Sequence, residues 1–318
     1  MKLSISKSGV WAFLGDEFDF YRHIRECGFR YIDYDFFSTI KTDDAPYLQS
    51  DWRQRADETR NRMEKLGMRT LIGHAPAGEP SAPGMRDVLL ARTRRSIEIS
   101  AVLGIENLAY HPGAQPGMSR KEYLDFNVSY ARELIPTLEK YGVTLMLENV
   151  GRWDEPFRCH DVEELLELID AVDHPLYQAC LDTGHLSLAD GQQYETVTGL
   201  GSHLRGLHIQ DNFGSLPVAS TNRMWRQDLH LPPLMGCVDF DEVLLGLKQI
   251  GYKGVFNLEP ESPRCGCLLS PDNQIGQPLH HITLDLTIEY YSIVHDIATY
   301  MLRQYGLYEE EAADPALP

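Results

Sequence analysis

Along this chain, short apolar runs alternate with longer segments whose apolar residues recur every three or four positions, and the pair repeats eight times. The runs predict strands at Leu3–Lys7, Tyr31–Phe36, Thr70–Ala75, Asn107–His111, Thr144–Asn149, Tyr177–Asp182, Leu204–Gln210 and Val255–Glu259. Most are continuous apolar stretches rather than strict alternations, as expected of parallel strands covered on both faces. The periodic segments predict helices, the clearer ones at Asp51–Leu66, Met85–Leu103, Lys121–Tyr141, Val162–Ala171, Phe240–Ile250 and Leu284–Leu302. Two of them follow N-terminal signals: Ser119 with Glu122 three residues on makes a capping box, and Asp161 precedes a Glu-rich first turn.

Alternation of this kind builds a parallel α/β sheet, and eight units favour a single closed (β/α)8 TIM barrel over an open doubly wound sheet. No G-x-G-x-x-G follows the first strand, so a dinucleotide-binding fold has no support. The length of 318 residues suits one such barrel, which takes about 250 residues plus insertions. The catalytic barrel is expected over residues 1–308, with the acidic residues 309–318 as a disordered tail. Two long irregular stretches, Asn212–Asp239 and Glu261–His281, are of the length that usually serves function.

Composition narrows the partners. Acidic residues number 47 against 29 Lys and Arg, a formal net charge of -18, which is the wrong balance for gripping a polynucleotide backbone. No run reaches the roughly 20 apolar residues of a membrane span. Neither a nucleic-acid nor a membrane partner is therefore expected. The opening MKLSISKSGVW lacks the long apolar stretch of a secretory signal and reads as a strand, so a cytoplasmic location is expected. The six cysteines are scattered, and Cys265-Gly-Cys267 without a second pair reads as two ordinary thiols rather than a zinc motif.

The chemistry lies in where the polar residues fall. In a barrel, active sites sit at the C-terminal ends of the strands. Six consecutive predicted strands, the third to the eighth, end their apolar runs in His74, His111, Glu148, Asp182, His208 and Glu259. Any one of these could be a satisfied structural group. Six converging on one mouth would bury mutually repelling carboxylates, and a divalent cation removes that penalty. Three carboxylates with one imidazole form a hard site suited to Mn2+, Mg2+ or Co2+, with Zn2+ acceptable, and further imidazoles shift the balance toward Zn2+ or Mn2+.

At these residues the chain resembles the xylose isomerase-like barrel superfamily, in its sugar phosphate isomerase/epimerase branch. That branch shares its fold and metal motifs with the deoxyribonuclease IV type apurinic endonucleases. The resemblance runs from the first strand to the last helix, on L-E-N at 147–149, L-D-T-G-H at 181–185, H-I-Q-D-N at 208–212, D-L-H-L-P-P-L-M-G-C-V-D-F at 228–240 and N-L-E at 257–259. It implies one metal, with Mn2+ first among the candidates, held by Glu148, Asp182, His208 and Glu259. It implies Glu148 and Glu259 as an acid/base pair, with His185 beside them orienting substrate or metal. A metal chelated by a ketone and its neighbouring hydroxyl acidifies the intervening C–H and stabilises an enediolate. Two carboxylates on opposite faces then epimerise or isomerise a small keto-sugar, polyol or inositol-type substrate.

The endonuclease relatives hold three zinc ions, and their fuller set matches His74, His111, His185, Asp228 and His230 in addition to the four. One ion is the first expectation and three the alternative, with these five otherwise contacting substrate. A dehydratase or lyase on the same substrate class, or a multi-metal phosphoesterase, is the rival reaction. Arg152, Trp153, Arg223 and Arg226 are candidates for substrate contact, Arg152 or Arg226 for an anionic group. Arg158, Trp225, Trp11 and Phe13 stand behind them, and Asp33 and Asp35 rank below the ligand set. Relatives pair or form tetramers, so a homodimer or homotetramer is expected.

Overall fold

The computed structural model describes residues 1–6, 17–37, 39–152, 158–215, 228–261 and 283–310. Eight parallel strands follow one another around a closed barrel: β1 (Lys2–Ser6), β2 (Tyr31–Asp35), β3 (Arg69–His74), β4 (Asn107–Tyr110), β5 (Thr144–Glu148), β6 (Tyr177–Asp182), β7 (Leu204–Ile209) and β8 (Val255–Leu258). β1 pairs with both β2 and β8, which closes the ring. Around it run α1 (Glu17–Glu26), α2 (Trp52–Lys65), α3 (Arg86–Leu103), α4 (Arg120–Tyr141), α5 (Val162–Val172), α6 (Thr183–Leu188), α7 (Gln193–Leu200), α8 (Phe240–Gln249) and α9 (Leu284–Gln304). The barrel expected from the alternation is the one observed, with strand limits moved by a residue or two. No described helix is long and apolar enough to cross a membrane.

The local signals act as expected. Ser119 and Glu122 form a complete capping box on α4, and the side chains of Asp161, Asp239 and Thr283 cap α5, α8 and α9. Glu309 and Glu310, assigned by sequence to the tail, are engaged: Glu309 N–H donates to Met1 O at 3.0 Å, and Arg303 donates to both oxygens of Glu310 at 3.1 Å. Residues 311–318 lie outside the described residues.

The two faces of each strand go to different places, as a period of two requires. On β5, Leu145 and Leu147 join the large core, whereas Met146 packs with Ile72, Ala109 and Cys180 in a separate apolar cluster. Continuing those inward rows by two residues gives Glu148, His74, His111 and Asp182. The candidate chemistry therefore stands directly on an apolar plug. Gly206 on β7 is part of that plug's design, because a Cβ there would meet the Met146 thioether at 2.6 Å. The opposite part of the interior is polar: Ser4, Asp33 and Asn257 are fully buried, and Asn257 Nδ2 donates to Asp33 at 2.8 Å.

The loops over the mouth are tied to the frame by buried side chains. Asn127 on α4 accepts from Gly113 N at 2.8 Å and donates to Gly113 O and Tyr123 O at 2.9 Å, which fixes the loop leaving β4 just beyond His111. Replacing Asn127 by Ala strands both peptide groups of Gly113, so we expect a loss of about 2–4 kcal/mol in urea denaturation. A loss below about 0.5 kcal/mol, the range of a neutral surface change, would show that water takes over these bonds.

Candidate metal centre

Glu148 ends β5, Asp182 ends β6, His208 lies one residue before the end of β7, and Glu259 follows β8. One ligand atom from each lies within 4.8 Å of all the others. Glu148, Asp182 and His208 are essentially inaccessible to solvent. His208 Nδ1 is 3.0 Å from Glu148 Oε1 and 3.5 Å from Glu259 Oε1, yet neither His208 nitrogen makes an aligned hydrogen bond. Such spacings suit ligands of one ion: two donors about 2.1 Å from a metal stand about 3.0–3.4 Å apart at octahedral or tetrahedral angles. The hard donor set and the orphaned, fully buried imidazole together fit a divalent cation.

The five residues of the wider set surround this core. Glu148 Oε2 faces His74 Nε2 at 3.1 Å and His111 Nε2 at 3.2 Å, so its two oxygens address different imidazoles. On the other side, Asp228 Oδ2 is 3.1 Å from His185 Nε2 and 3.2 Å from His230 Nε2. Both triads, His74–His111–Glu148 and His185–Asp228–His230, have metal-ligand proximity. Nδ1 of His74, His185 and His230 meets the carbonyl of Ala75, Asn149 and Glu259 at 2.9, 3.0 and 2.9 Å. A carbonyl only accepts, so Nδ1 carries a proton in each, and when the ring is neutral Nε2 is left with the lone pair that a cation could take.

Burial and charge set the protonation of the metal-free cluster. Burial favours a neutral Glu148, but His208 and His111 outweigh it and hold its carboxyl well below the usual range. Burial raises Glu259 well above that range, reinforced by repulsion from Glu148, Asp33 and Asp182. Burial also raises Asp182, opposed by His185. Burial works against a charged His230, yet Asp228 pushes it up to about 9. His185 rises in the same way, with Asp182 and Asp228 overcoming burial.

Residues missed by sequence reasoning hold the ligands in place. Asn149 clamps β5 to β6, accepting from Asp182 N at 2.7 Å and donating to Asp182 O at 2.9 Å. Gln210 Nε2 donates to Asp228 Oδ1 at 2.8 Å and lies against Gly184, where a Cβ would come within 2.2 Å of its amide. Asp211 exchanges backbone hydrogen bonds with Leu231 and accepts from Gly236 N and Val238 N, stapling the loop that carries His230. Asn149, Gln210 and Asp211 sit inside the quoted motifs, so the signal was present, but their roles needed the fold.

The candidate substrate residues divide. Arg152 is exposed on the loop after β5, and Trp153, Arg223 and Arg226 lie outside the described residues, as do Trp11, Phe13, Trp225, Cys265 and Cys267. Arg158 is turned to Glu79 at 3.1 Å, where it joins the loops after β5 and β3. Asp35 accepts from Phe37 N at 2.9 Å in a local turn, and Asp33 lies behind His208.

A family model described as xylose isomerase-like TIM barrel matches residues 21–283. An uncharacterized protein of Methanocaldococcus jannaschii is 29% identical over 203 residues, covering 61% of this chain and 65% of the relative. A probable endonuclease 4 of Bacillus licheniformis is 27% identical over 169 residues, 48% of this chain and 55% of the relative. An inosose isomerase of Bacillus subtilis is 24% identical over 209 residues, 64% of this chain and 71% of the relative. The matches to the first of these relatives thus span less than two thirds of their length. Among solved structures, a D-tagatose 3-epimerase-like protein superposes with a TM-score of 0.66 at 26% identity, covering 94% of this chain and all of the other. The zinc-bound IOLI protein superposes with a TM-score of 0.70 at 18% identity, covering 96% and 99%.

Metal uptake must compete with protons. Burial and the neighbouring acids raise the pKa of Glu259, so it takes up a proton more readily than an ordinary carboxyl, and a ligating carboxylate must give that proton up. Affinity therefore rises with pH, by about tenfold per pH unit for each proton displaced. Calorimetric titration of stripped protein with Zn2+ near neutral pH, in buffers of different ionisation enthalpy, should show at least one proton released per ion. Identical heats in all buffers would contradict the assignment of Glu259 as a ligand.

Proposed function

The chain belongs to the family of xylose isomerase-like TIM barrels, and we propose that it is a divalent-metal-dependent isomerase or epimerase of a small hydroxy-carbonyl compound such as a keto-sugar or inosose. The observation that carries this reading is the position of Glu148 and Glu259, which come from β5 and β8 and meet at His208 within one ligand cluster. A bound Mn2+ or Zn2+ would supply the Lewis acidity that polarises a ketone and its neighbouring hydroxyl. Glu148, Asp182, His208 and Glu259 would hold the ion. Each glutamate has a second oxygen, which for Glu148 is the Oε2 beside His74 and His111, and through these oxygens Glu148 and Glu259 would exchange the proton of the substrate carbon. One removes it and the other returns it from the opposite side. His185 is fixed through Nδ1 by Asn149 O, and its Nε2, which now faces Asp228, is the atom that would orient a substrate hydroxyl. The inosose isomerase and epimerase-like relatives support the same class.

The test is solvent exchange. Incubating tagatose, psicose, fructose and inosose in D2O with the Mn2+-loaded or Zn2+-loaded protein should place deuterium on the carbon next to the carbonyl of at least one of them. Glu148→Gln and Glu259→Gln should each slow that exchange by about 10²–10⁴-fold. No exchange across the panel with either metal would remove the reading.

A second reading, a multi-metal phosphoesterase, is favoured by one specific feature. The two oxygens of Glu148 face separate imidazole groups, and His185, Asp228 and His230 form a further triad, so three ions have donors. The net charge of -18 opposes a polynucleotide substrate. Three ions per chain by elemental analysis, with cleavage of an abasic-site duplex, would replace the first reading with this one.

A further inference from the structure

His208 differs from the other buried imidazoles of the site. His74, His185 and His230 each have Nδ1 bound to a backbone carbonyl, whereas both nitrogens of His208 are buried with no aligned hydrogen-bond partner. Its Nδ1 faces the carboxylates of Glu148 and Glu259. Its Nε2 faces the other way, 3.7 Å from Asp33 Oδ2. Asp33 is itself fully buried on β2, deep in the barrel, and Oδ2 is held by Asn257 Nδ2 at 2.8 Å while Oδ1 has no partner. A carboxylate at that depth is costly, since barrel interiors are ordinarily filled by apolar side chains. It stands where a neutral His208 needs an acceptor.

We infer that Asp33 is the positioning residue of the metal centre: its carboxylate accepts a hydrogen bond from Nε2–H of His208, which leaves the Nδ1 lone pair directed at the cation. About 1 Å of side-chain movement closes the present gap to hydrogen-bond length. Asn257 keeps the accepting oxygen in place and pairs in register with His208 across β7 and β8. Asp33 touches neither substrate nor ion; it acts through His208. This inference rests on the reading of Glu148, Asp182, His208 and Glu259 as a metal site.

The test uses the full chain, stripped of metal and titrated with Zn2+ against a fluorescent chelator. Asp33→Asn keeps the volume, and its amide oxygen, oriented by the Asn257 Nδ2 donor, replaces the carboxylate with a neutral, weaker acceptor for Nε2–H, so the ring is held less firmly with its Nδ1 lone pair on the cation. We expect Zn2+ affinity to fall about 10–100-fold. The thermal midpoint of the metal-free protein should stay the same or rise, because a buried carboxylate has been removed. A merely structural aspartate would lower stability and affinity together. Long-range proton–nitrogen spectra of the Zn2+-loaded wild type give a measurement that needs no variant, and His208 should carry its proton on Nε2. Wild-type binding with unchanged affinity in Asp33→Asn overturns the role of Asp33 alone, whereas a proton on Nδ1 in the loaded wild type removes His208 Nδ1 as a ligand and this inference with it. No uptake of Zn2+, Mn2+ or Co2+ by the wild type overturns the metal-centre reading and this inference with it.

Discussion

The rest of the structure is organised around the burial of several carboxylates at one barrel mouth. Glu148, Asp182, Asp228 and Glu259 converge there with Asp33 below, and the repulsion among them has to be met by positive charge or by protons. In the metal-free chain the imidazoles meet it unevenly. Glu148 lies against His208, His74 and His111 and remains ionised, whereas Glu259 has less compensation and is driven toward the neutral acid. A cluster with one carboxyl pushed down and another pushed up has not reached charge balance. A divalent ion between them would supply it.

That electrostatic arrangement would scatter if the side chains could move apart, so the surrounding structure is spent on fixing them. Glu79 accepts from Ala114 N and from Arg158, joining the loops after β3, β4 and β5. Asp211 gathers the segment from Leu231 to Val238 by two side-chain bonds, from Gly236 N and Val238 N, and a backbone bridge to Leu231. The backbone of that segment is strained, with His230 at φ 45° and Leu234 at φ 70°. Left-handed conformations at such residues cost on the order of 1–3 kcal/mol and persist where the surroundings over-determine them. Here the surroundings are the Asp211 staple and the bond from His230 to Glu259 O.

Much of this was legible in the sequence, for reasons that particular residues make clear. The barrel follows from eight strand–helix pairs, and the mouth follows from His74, Glu148 and Asp182 ending apolar runs, because the strand period alone continues Ile72, Met146 and Cys180 into them. Depth was not legible. In Tyr-Ile-Asp-Tyr-Asp both acids fall on the inward parity, and the register shift between Ile32 and Asp33 decides which layer each occupies. Asp35 caps a turn while Asp33 is buried behind His208. Arg158 misled for a related reason: its nearness in sequence to Glu148 suggested substrate, but the fold brings Glu79 to it. The short α6 was hidden because Asp182 does two things, ending β6 as a candidate ligand and capping the next helix through His185 N.

The same reasoning explains why one ligand set is compatible with different reactions. In the metal-free chain Asp182 and Asp228 raise His185 against the effect of burial, and Asp228 pushes His230 up to about 9, so both rings favour the protonated form. Those protons occupy the electrostatic role that further cations would fill, since either one offsets the same acids. The number of ions is then a competition between protons and metals for a fixed amount of buried negative charge, and not a property of the donor list. A centre with one ion keeps imidazolium groups beside it, able to donate to a substrate oxygen. A centre with three loses them and gains Lewis acids suited to a phosphoryl group. Carbon-acid chemistry and phosphoester chemistry can thus share one arrangement of side chains.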